Sequence, residues 1–417
     1  MSDDVIEMIV SRLPVKKVFG LAILSSRFRY SWKFCRDLSF DRDFARNLSQ
    51  NQFKNLVNTF FHMYLGTSAD RFHLYFNATG EVNLVGYWID RAVNLGIKVI
   101  ELDFTPSDTE FLLSHELVDA ENIKVMKLVN CELNFSLSSN GLSHLRELTF
   151  QNIRASPMVI NKIFNNCLAL TTLQLINCNF IFDLRIVTFK LKRFEKLVLK
   201  DCIDVISIVI NAPTLRALHY HGKVCKFEFE CELFRLYDVI LDVAHPRRFH
   251  IFPHRKDMVN YFAYVETLTI TSIFLELVVS PESFVNPSDI VVFLKKCPHI
   301  ERIFIDLGQN ALQSSVYWAF HGSKYLSECD VIFSFLKCIK VKGFTMKELP
   351  VTMARYFLKS ARSLQHLILV KAKNFNSSET LTPEHHLRRG IQSNAVIEFY
   401  DYNKDVSIIT PMHLKGI

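Results

Sequence analysis

Glycine is scarce in this chain, at 12 of 417 residues, and no G-x-G-x-x-G or Walker A run is present. Dinucleotide- and P-loop folds build their phosphate turns from glycine, so the scarcity speaks against both. Long apolar runs are also missing. None reaches the roughly 18 residues that a membrane-spanning helix needs; the longest, such as residues 273–279, are broken by Glu276. Met1-Ser2-Asp3-Asp4 has no basic stretch and no apolar segment after it, so no secretory signal is expected. The chain is therefore expected in the cytosol or nucleus, without a membrane partner. Its ten cysteines form no C-x-x-C pair and are followed by no histidine pair at zinc-finger spacing. They are expected to be free thiols in a reducing compartment.

Catalytic patterns are absent as well. There is no G-x-S-x-G, H-E-x-x-H or EF-hand run, and no enzyme activity and no cofactor is expected. Histidines gather loosely at His219 and His221 and again at His245, His250 and His254. His219 and His221 stand two apart, and on a strand they would share the solvent-facing side. Two such histidines can ligate a metal, but no third ligand accompanies them, so no metal site is expected. Pro246-Arg247-Arg248 reads as a solvated turn. The formal charge is +7, from 49 basic and 42 acidic residues, with no dense basic block. That balance predicts a mixed-charge surface and no nucleic-acid partner.

What the chain has in quantity is apolar residues, 49% in all, with 36 phenylalanines. At this length such a composition predicts a folded chain with a short module and a large one. In the first stretch Ser2 can cap a helix carrying Val5, Ile6, Ile9, Val10 and Leu13. Pro14 stops it, because the residue before a proline disfavours helix. Residues 15–24 predict a second helix, and Ser25-Ser26 can cap a third that contains Arg27, Phe28, Tyr30, Ser31 and Trp32. Three short helices hide little surface by themselves, so this module is expected to present apolar side chains to a partner.

The rest of the chain is periodic. An apolar-x-x-apolar-x-apolar signature starts at Ile97, Ile123, Leu145, Leu170, Phe194, Leu215 and Leu236, then at wider intervals at Val265, Ile300, Leu336 and Leu364. Each signature predicts a short strand. One strand with its return segment cannot close a core, whereas stacked neighbours share one. Cys131, Cys178 and Cys202 stand eight residues after their signatures, where a side chain inside the turn would satisfy backbone groups of the loop. Residues 163–168, 292–298 and 356–363 read as helical returns. Between the first module and the repeats, residues 53–61 and 88–93 suggest helices and residues 71–76 a strand, and residues 395–402 suggest a last strand.

These motifs resemble those of plant F-box/leucine-rich-repeat proteins. Residues 9–16 (IVSRLPVK) and 24–29 (LSSRFR) resemble the F-box pattern, although Met1-Ser2 stands where Leu-Pro is usual and Phe28 where tryptophan is usual. Residues 336–344 and 357–369 resemble the FBD-type C-terminal region of that family. The resemblance implies an α/β fold: an N-terminal three-helix F-box (1–46), a linker and cap (47–96), and a leucine-rich-repeat solenoid (97–372) before a C-terminal cap and tail (373–417). That solenoid would be a curved parallel sheet with a helical or irregular convex side. The implied function is substrate recognition for a Skp-cullin-F-box ubiquitin ligase. A Skp-type adaptor, and through it cullin and RING subunits, would be bound by Met1, Ile6, Ile9, Leu13, Pro14, Leu24 and Phe28. An unknown target protein would be bound by the central residues of the strands on the concave face: Glu101, Lys127, Thr149, Gln174, His219, Thr269, Phe304 and Lys340, with Val198, Ile240 and Ile368 in the same position. The alternatives are a scaffold with a degenerate F-box and a small-molecule-sensing receptor.

Overall fold

The computed structural model describes residues 3–24, 26–108, 111–113, 120–133, 142–154, 157–179, 181–223, 225–243, 259–271, 287–307, 332–373 and 383–407. They belong to two compact units, Met1–Phe194 with Asp201–Val205, and Glu195–Lys200 with Ile206–Ile417.

The first unit opens with α1 (Asp3–Val10) and α2 (Val15–Leu24), separated at Pro14 as expected. The third expected helix is instead two 3₁₀ turns, Ser26–Phe28 and Ser31–Phe34. The Ser31 hydroxyl donates back to the carbonyl of Phe28 at 2.7 Å. Such a local bond offers the backbone an alternative to the α-helical ladder. The chain then enters β1 (Asp37–Phe40), a strand upstream of every signature in the sequence. Asp41 caps α3 (Arg42–Ala45) by accepting from the Phe44 amide. Ser49 and Gln52 form a capping box at the start of α4 (Gln50–Met63). After β2 (Arg71–Tyr75), α5 (Val82–Asn94) ends in Gly96, whose φ of +72° is the left-handed conformation that glycine supplies at a helix C-terminus.

Strands then follow at repeat spacing: β3 (Val99–Asp103), β4 (Phe111–Leu113), β5 (Val125–Val129), β6 (Cys131–Leu133) and β7 (Glu147–Gln151). The helix α6 (Pro157–Asn166) precedes β8 (Thr172–Ile176) and β9 (Asp183–Val187). β1, β2, β3, β5, β7 and β8 pair in that order, all parallel. Their register stacks two apolar rows. One is Leu38, Phe72, Ile100, Met126, Leu148 and Leu173; the other is Phe40, Leu74, Leu102, Leu128, Phe150 and Leu175. All of these side chains are buried, each contributing about 1.5–3 kcal/mol of hydrophobic stabilisation.

The turns leaving these strands share one device. Asn130, Asn152, Asn177 and Asp201 all adopt positive φ, between 50° and 57°. Asn and Asp tolerate this conformation better than other residues with a Cβ. A buried Cys131, Ile153, Cys178 or Cys202 follows directly. The thiols of Cys178 and Cys202 donate to the carbonyls of Phe150 and Leu175 in the neighbouring repeat; these acceptors belong to the strands β7 and β8, whereas the sequence placed the thiols against loop groups.

In the second unit β10 (Lys196–Lys200), β11 (Ser207–Asn211), β12 (Ala217–Gly222), β13 (Lys226–Phe229), β14 (Asp238–Val243) and β15 (Thr267–Thr271) come first. They are followed by α7 (Pro287–Leu294), β16 (Arg302–Asp306), β17 (Cys338–Phe344), α8 (Glu348–Ser360), β18 (His366–Lys371), α9 (Pro383–Arg388) and β19 (Val396–Tyr400). β10, β12 and β14 through β19 pair in chain order, again parallel. β11 pairs with β13 on the return side. Arg355 of α8 donates to the carbonyls of His386, Leu387 and Arg389, satisfying groups that the end of α9 leaves open.

All eleven signatures became strands of these parallel ladders, each starting two residues after its first apolar position. The last strand expected near Ala395 is β19.

Candidate functional site

Two surfaces carry the candidate residues. The first is on the N-terminal helices. α1 turns Ile6 and Val10 inward, and α2 does the same with Val15 and Val18. Apolar side chains also stay exposed on both helices. Val5, Met8 and Ile9 are exposed on α1, and Ile23 and Leu24 on α2 are 86% and 82% exposed. Hiding part of an apolar helix while leaving this much in water is unfavourable unless something else covers it. Beneath the helices lies a ring cluster in which Phe19, Trp32 and Phe60 pack together, with Phe40 and Phe44 alongside. The Tyr64 hydroxyl ties the cluster's edge to the carbonyl of Cys35 at 2.8 Å.

Of the residues expected on this face, Ile9 and Leu24 are exposed, and Leu13, Pro14 and Phe28 are half-buried. Ile6 is buried, so it belongs to the core under the face. Met1 lies outside the described residues. Val5, Met8 and Ile23 were not among the residues the sequence assigned to this face. The available signal was that α1 is apolar at 5, 6, 8, 9 and 10, a wider arc than one buried stripe requires.

The second surface is the face of the strands opposite the apolar rows. In the first unit the register aligns Ser39, His73, Glu101, Lys127, Thr149 and Gln174. From His73 onward these are half-buried. A cavity of about 230 Å³ opens here, lined among others by Asp41, Arg42, His73, Glu101, Asp103 and Lys127. Arg71 reaches Glu101 at 3.5 Å.

The second unit aligns Val198, His219, Ile240, Thr269, Phe304, Lys340, Ile368 and Glu398. Here the expected exposure fails at several positions. Val198, His219, Ile240, Lys340 and Ile368 are buried, while Thr269 and Phe304 are half-buried. His219 was expected in solvent beside His221. It is fully buried, with Nε2 3.0 Å from Asp238 Oδ2. His221 is half-buried, and its Nδ1 stands 3.1 Å from Asp242 Oδ2 on the adjoining strand. The carboxylates that hold the two rings come from β14, which the spacing of the histidines alone does not disclose. His245, His250, His254 and the Pro246-Arg247-Arg248 turn lie outside the described residues. Among the described residues no group of three metal-ligating side chains occurs.

Lys340 is only 4% exposed. Its ammonium stands 5.7 Å from the centre of the Phe304 ring. Its oxygen partners come from beyond β19: Asp405 Oδ2 at 2.5 Å and the Ser407 hydroxyl at 2.7 Å. Burial works to raise the Asp405 carboxyl, but its bonds from Lys340 and Ser407 outweigh that and hold it below the usual carboxylate range. Lys371 likewise draws the Asp401 carboxyl down.

None of the described cysteines is in a disulfide. Burial pushes Cys35, Cys167 and Cys297 up to about 12. The thiol of Cys178 is raised first by its bond with Cys202 and then by burial. Such thiols remain protonated at neutral pH and are poor nucleophiles.

The family model of the At1g61320/AtMIF1 leucine-rich-repeat domain matches residues 62–286. The chain belongs to that family. The match within this At1g61320/AtMIF1 domain runs from the end of α4 past β15, and curated relatives extend it over the rest of the chain. At1g61330 of Arabidopsis thaliana, named as an FBD-associated F-box protein, is 28% identical over 90% of this chain and 91% of its own length. The FBD-associated F-box protein At1g61320 of the same plant is 26% identical over 89% of this chain and 88% of its own. The F-box/FBD/LRR-repeat protein At3g52680, also from Arabidopsis thaliana, is 25% identical over 52% of this chain and 49% of its own. The resemblance to plant F-box/leucine-rich-repeat proteins is thus borne out at the level of family and fold. Among the described residues no helix is long and apolar enough to cross a membrane.

Proposed function

We propose that this protein is the substrate-recognition subunit of a Skp-cullin-F-box ubiquitin ligase. In this reading the N-terminal helices bind a Skp-type adaptor, which brings the cullin and RING subunits. The opposite face of the repeats holds a target protein. The observation that carries the reading is the exposed apolar set Val5, Met8, Ile9, Ile23 and Leu24 on the two helices that bear the F-box-like motif. Its relatives carry F-box names, which supports the same assignment. The subunit itself supplies proximity between target and transferring enzyme and no chemistry of its own. Such a role belongs in the cytosol or nucleus.

One specific observation favours a second reading, a scaffold that no longer engages the ligase. Met1-Ser2 replaces the usual Leu-Pro and Phe28 the usual tryptophan. Co-purification of the full chain with a Skp-type adaptor separates the two. A stable stoichiometric complex supports the first reading. A folded chain that leaves the adaptor unbound supports the second.

A further inference from the structure

We infer that the face of β17 and β18 opposite the apolar rows is a docking site for an acidic peptide segment, and that residues 401–407 of this chain are its resident occupant. The inference rests on the reading of this face as the target-binding surface and adds the chemistry of what binds there.

A lysine ammonium is seldom buried, because removing it from water is costly unless a partner compensates. Among the described residues, Lys340 finds its oxygen partners far along the chain. Asp405 and Ser407 reach it after β19 has ended. The same segment makes further attachments to the same two strands. Tyr402 lies under the ammonium of Lys342, 4.8 Å from the ring centre, and Asp401 accepts from Lys371 at 2.9 Å. A 3₁₀ turn over Tyr402–Lys404 sets the spacing of these side chains. Asp405 in turn accepts from the Ser407 amide at 3.1 Å and from its hydroxyl, which presents carboxylate and hydroxyl to Lys340 together.

Three lysines on neighbouring strands thus receive a carboxylate, an aromatic ring, and a second carboxylate paired with a hydroxyl. Beside them, Cys338, Ile368 and Val370 form a buried apolar patch against which Tyr400 packs. A target entering this face meets the same lysines. The segment that fits is an acidic peptide of the form Asp-Tyr-x-x-Asp-x-Ser, and it must displace the tethered copy. A tethered competitor acts at millimolar effective concentration. It lowers the apparent affinity of any outside peptide by the fraction of time the site is open.

The test uses the full chain and a fluorescein-labelled peptide with the sequence of residues 400–407, followed by anisotropy. The variant Asp405→Ala with Ser407→Ala weakens the resident segment and leaves Lys340 in place. It is expected to bind the peptide at least about tenfold more tightly than the unmodified chain. A peptide with Asn in the Asp405 position is expected to lose most of that binding. Adding Lys340→Met to the released variant removes binding, and Lys340→Arg retains it. The inference is overturned if the released chain, folded by circular dichroism, binds no more tightly than the unmodified one. It is also overturned if the Asp and Asn peptides bind equally. The comparison of peptides needs no change at Lys340, so it decides even if Lys340→Met does not fold. No adaptor is present in this measurement, so its failure leaves the adaptor assignment standing, and loss of adaptor binding leaves this site standing.

Discussion

The side-chain amide of Asn177 donates to the side-chain oxygen of Asn152 at 2.6 Å, and both residues sit in the left-handed region, at φ 50° and 52°. The pair joins the exit turns of two successive strands, β7 and β8. The positive-φ turn recurs at Asn130 and Asp201, and the Asn130 side-chain amide also reaches a neighbouring repeat, donating to the carbonyl of Phe104 at 2.9 Å.

Asn177→Val should therefore be more damaging than Asn177→Gly. Valine loses the bond and also pays about 1–2 kcal/mol for a left-handed backbone. Glycine loses the bond but adopts the backbone freely. Chemical denaturation of both variants checks this. Equal losses of stability would show that the backbone conformation is unimportant.

Cysteine reactivity should follow burial. Around pH 7.5, alkylation of the folded chain should spare Cys35, Cys167, Cys178 and Cys297, whose thiols are protonated and enclosed. Cys231, half-buried, should label first among the described cysteines, although its thiol too is raised. Mass spectrometry of the labelled chain reads the order. Rapid labelling of Cys178 ahead of Cys231 would contradict the account.

The attachment of residues 401–407 should weaken in acid. The Asp405 and Asp401 carboxyls are both held below the usual value, which is about 3.9 for aspartate. A depressed carboxyl contributes stability that is fully present above the unfolded value and is lost as pH falls through the lower folded one. Protection of the segment's amides, taken relative to their intrinsic exchange rate, should stay high at neutral pH and fall below about pH 4. Asp405→Asn should give faster exchange already at neutral pH. An exchange rate in Asp405→Asn that matches the unmodified chain would contradict the attachment.

The strands were legible because their apolar positions alternate within a repeat that recurs. Leu197 and Leu199, or Ile303 and Ile305, announce a strand locally, and stacked neighbours need nothing further to bury them. β1 was not legible. Leu38 and Phe40 give just two alternating positions inside a stretch that reads as helical. The third helix failed for a related reason, since Ser31 bonds to the backbone behind it. At the candidate sites, spacing gave the right column of residues but not their exposure. Lys340 is covered by Asp405 and Ser407, and nothing near Lys340 in sequence signals their arrival. Ile6 and Met8 show the same limit on one helix. Both are apolar, and only the packing of α1 decides that Ile6 turns inward and Met8 outward.

The most direct test of the account is the affinity of the full chain for a purified Skp-type adaptor, measured for the unmodified protein and for Ile9→Glu with Leu24→Glu. Both side chains are exposed, so the substitutions should change stability little, by about 0.5 kcal/mol or less each. Removing two apolar anchors from an interface should cost about 2 kcal/mol or more, an affinity loss of about 30-fold. The account predicts a tight complex that the double variant loses while its melting curve is unchanged. Adaptor binding that is equally strong in the variant, or absent from the folded unmodified chain, would contradict it.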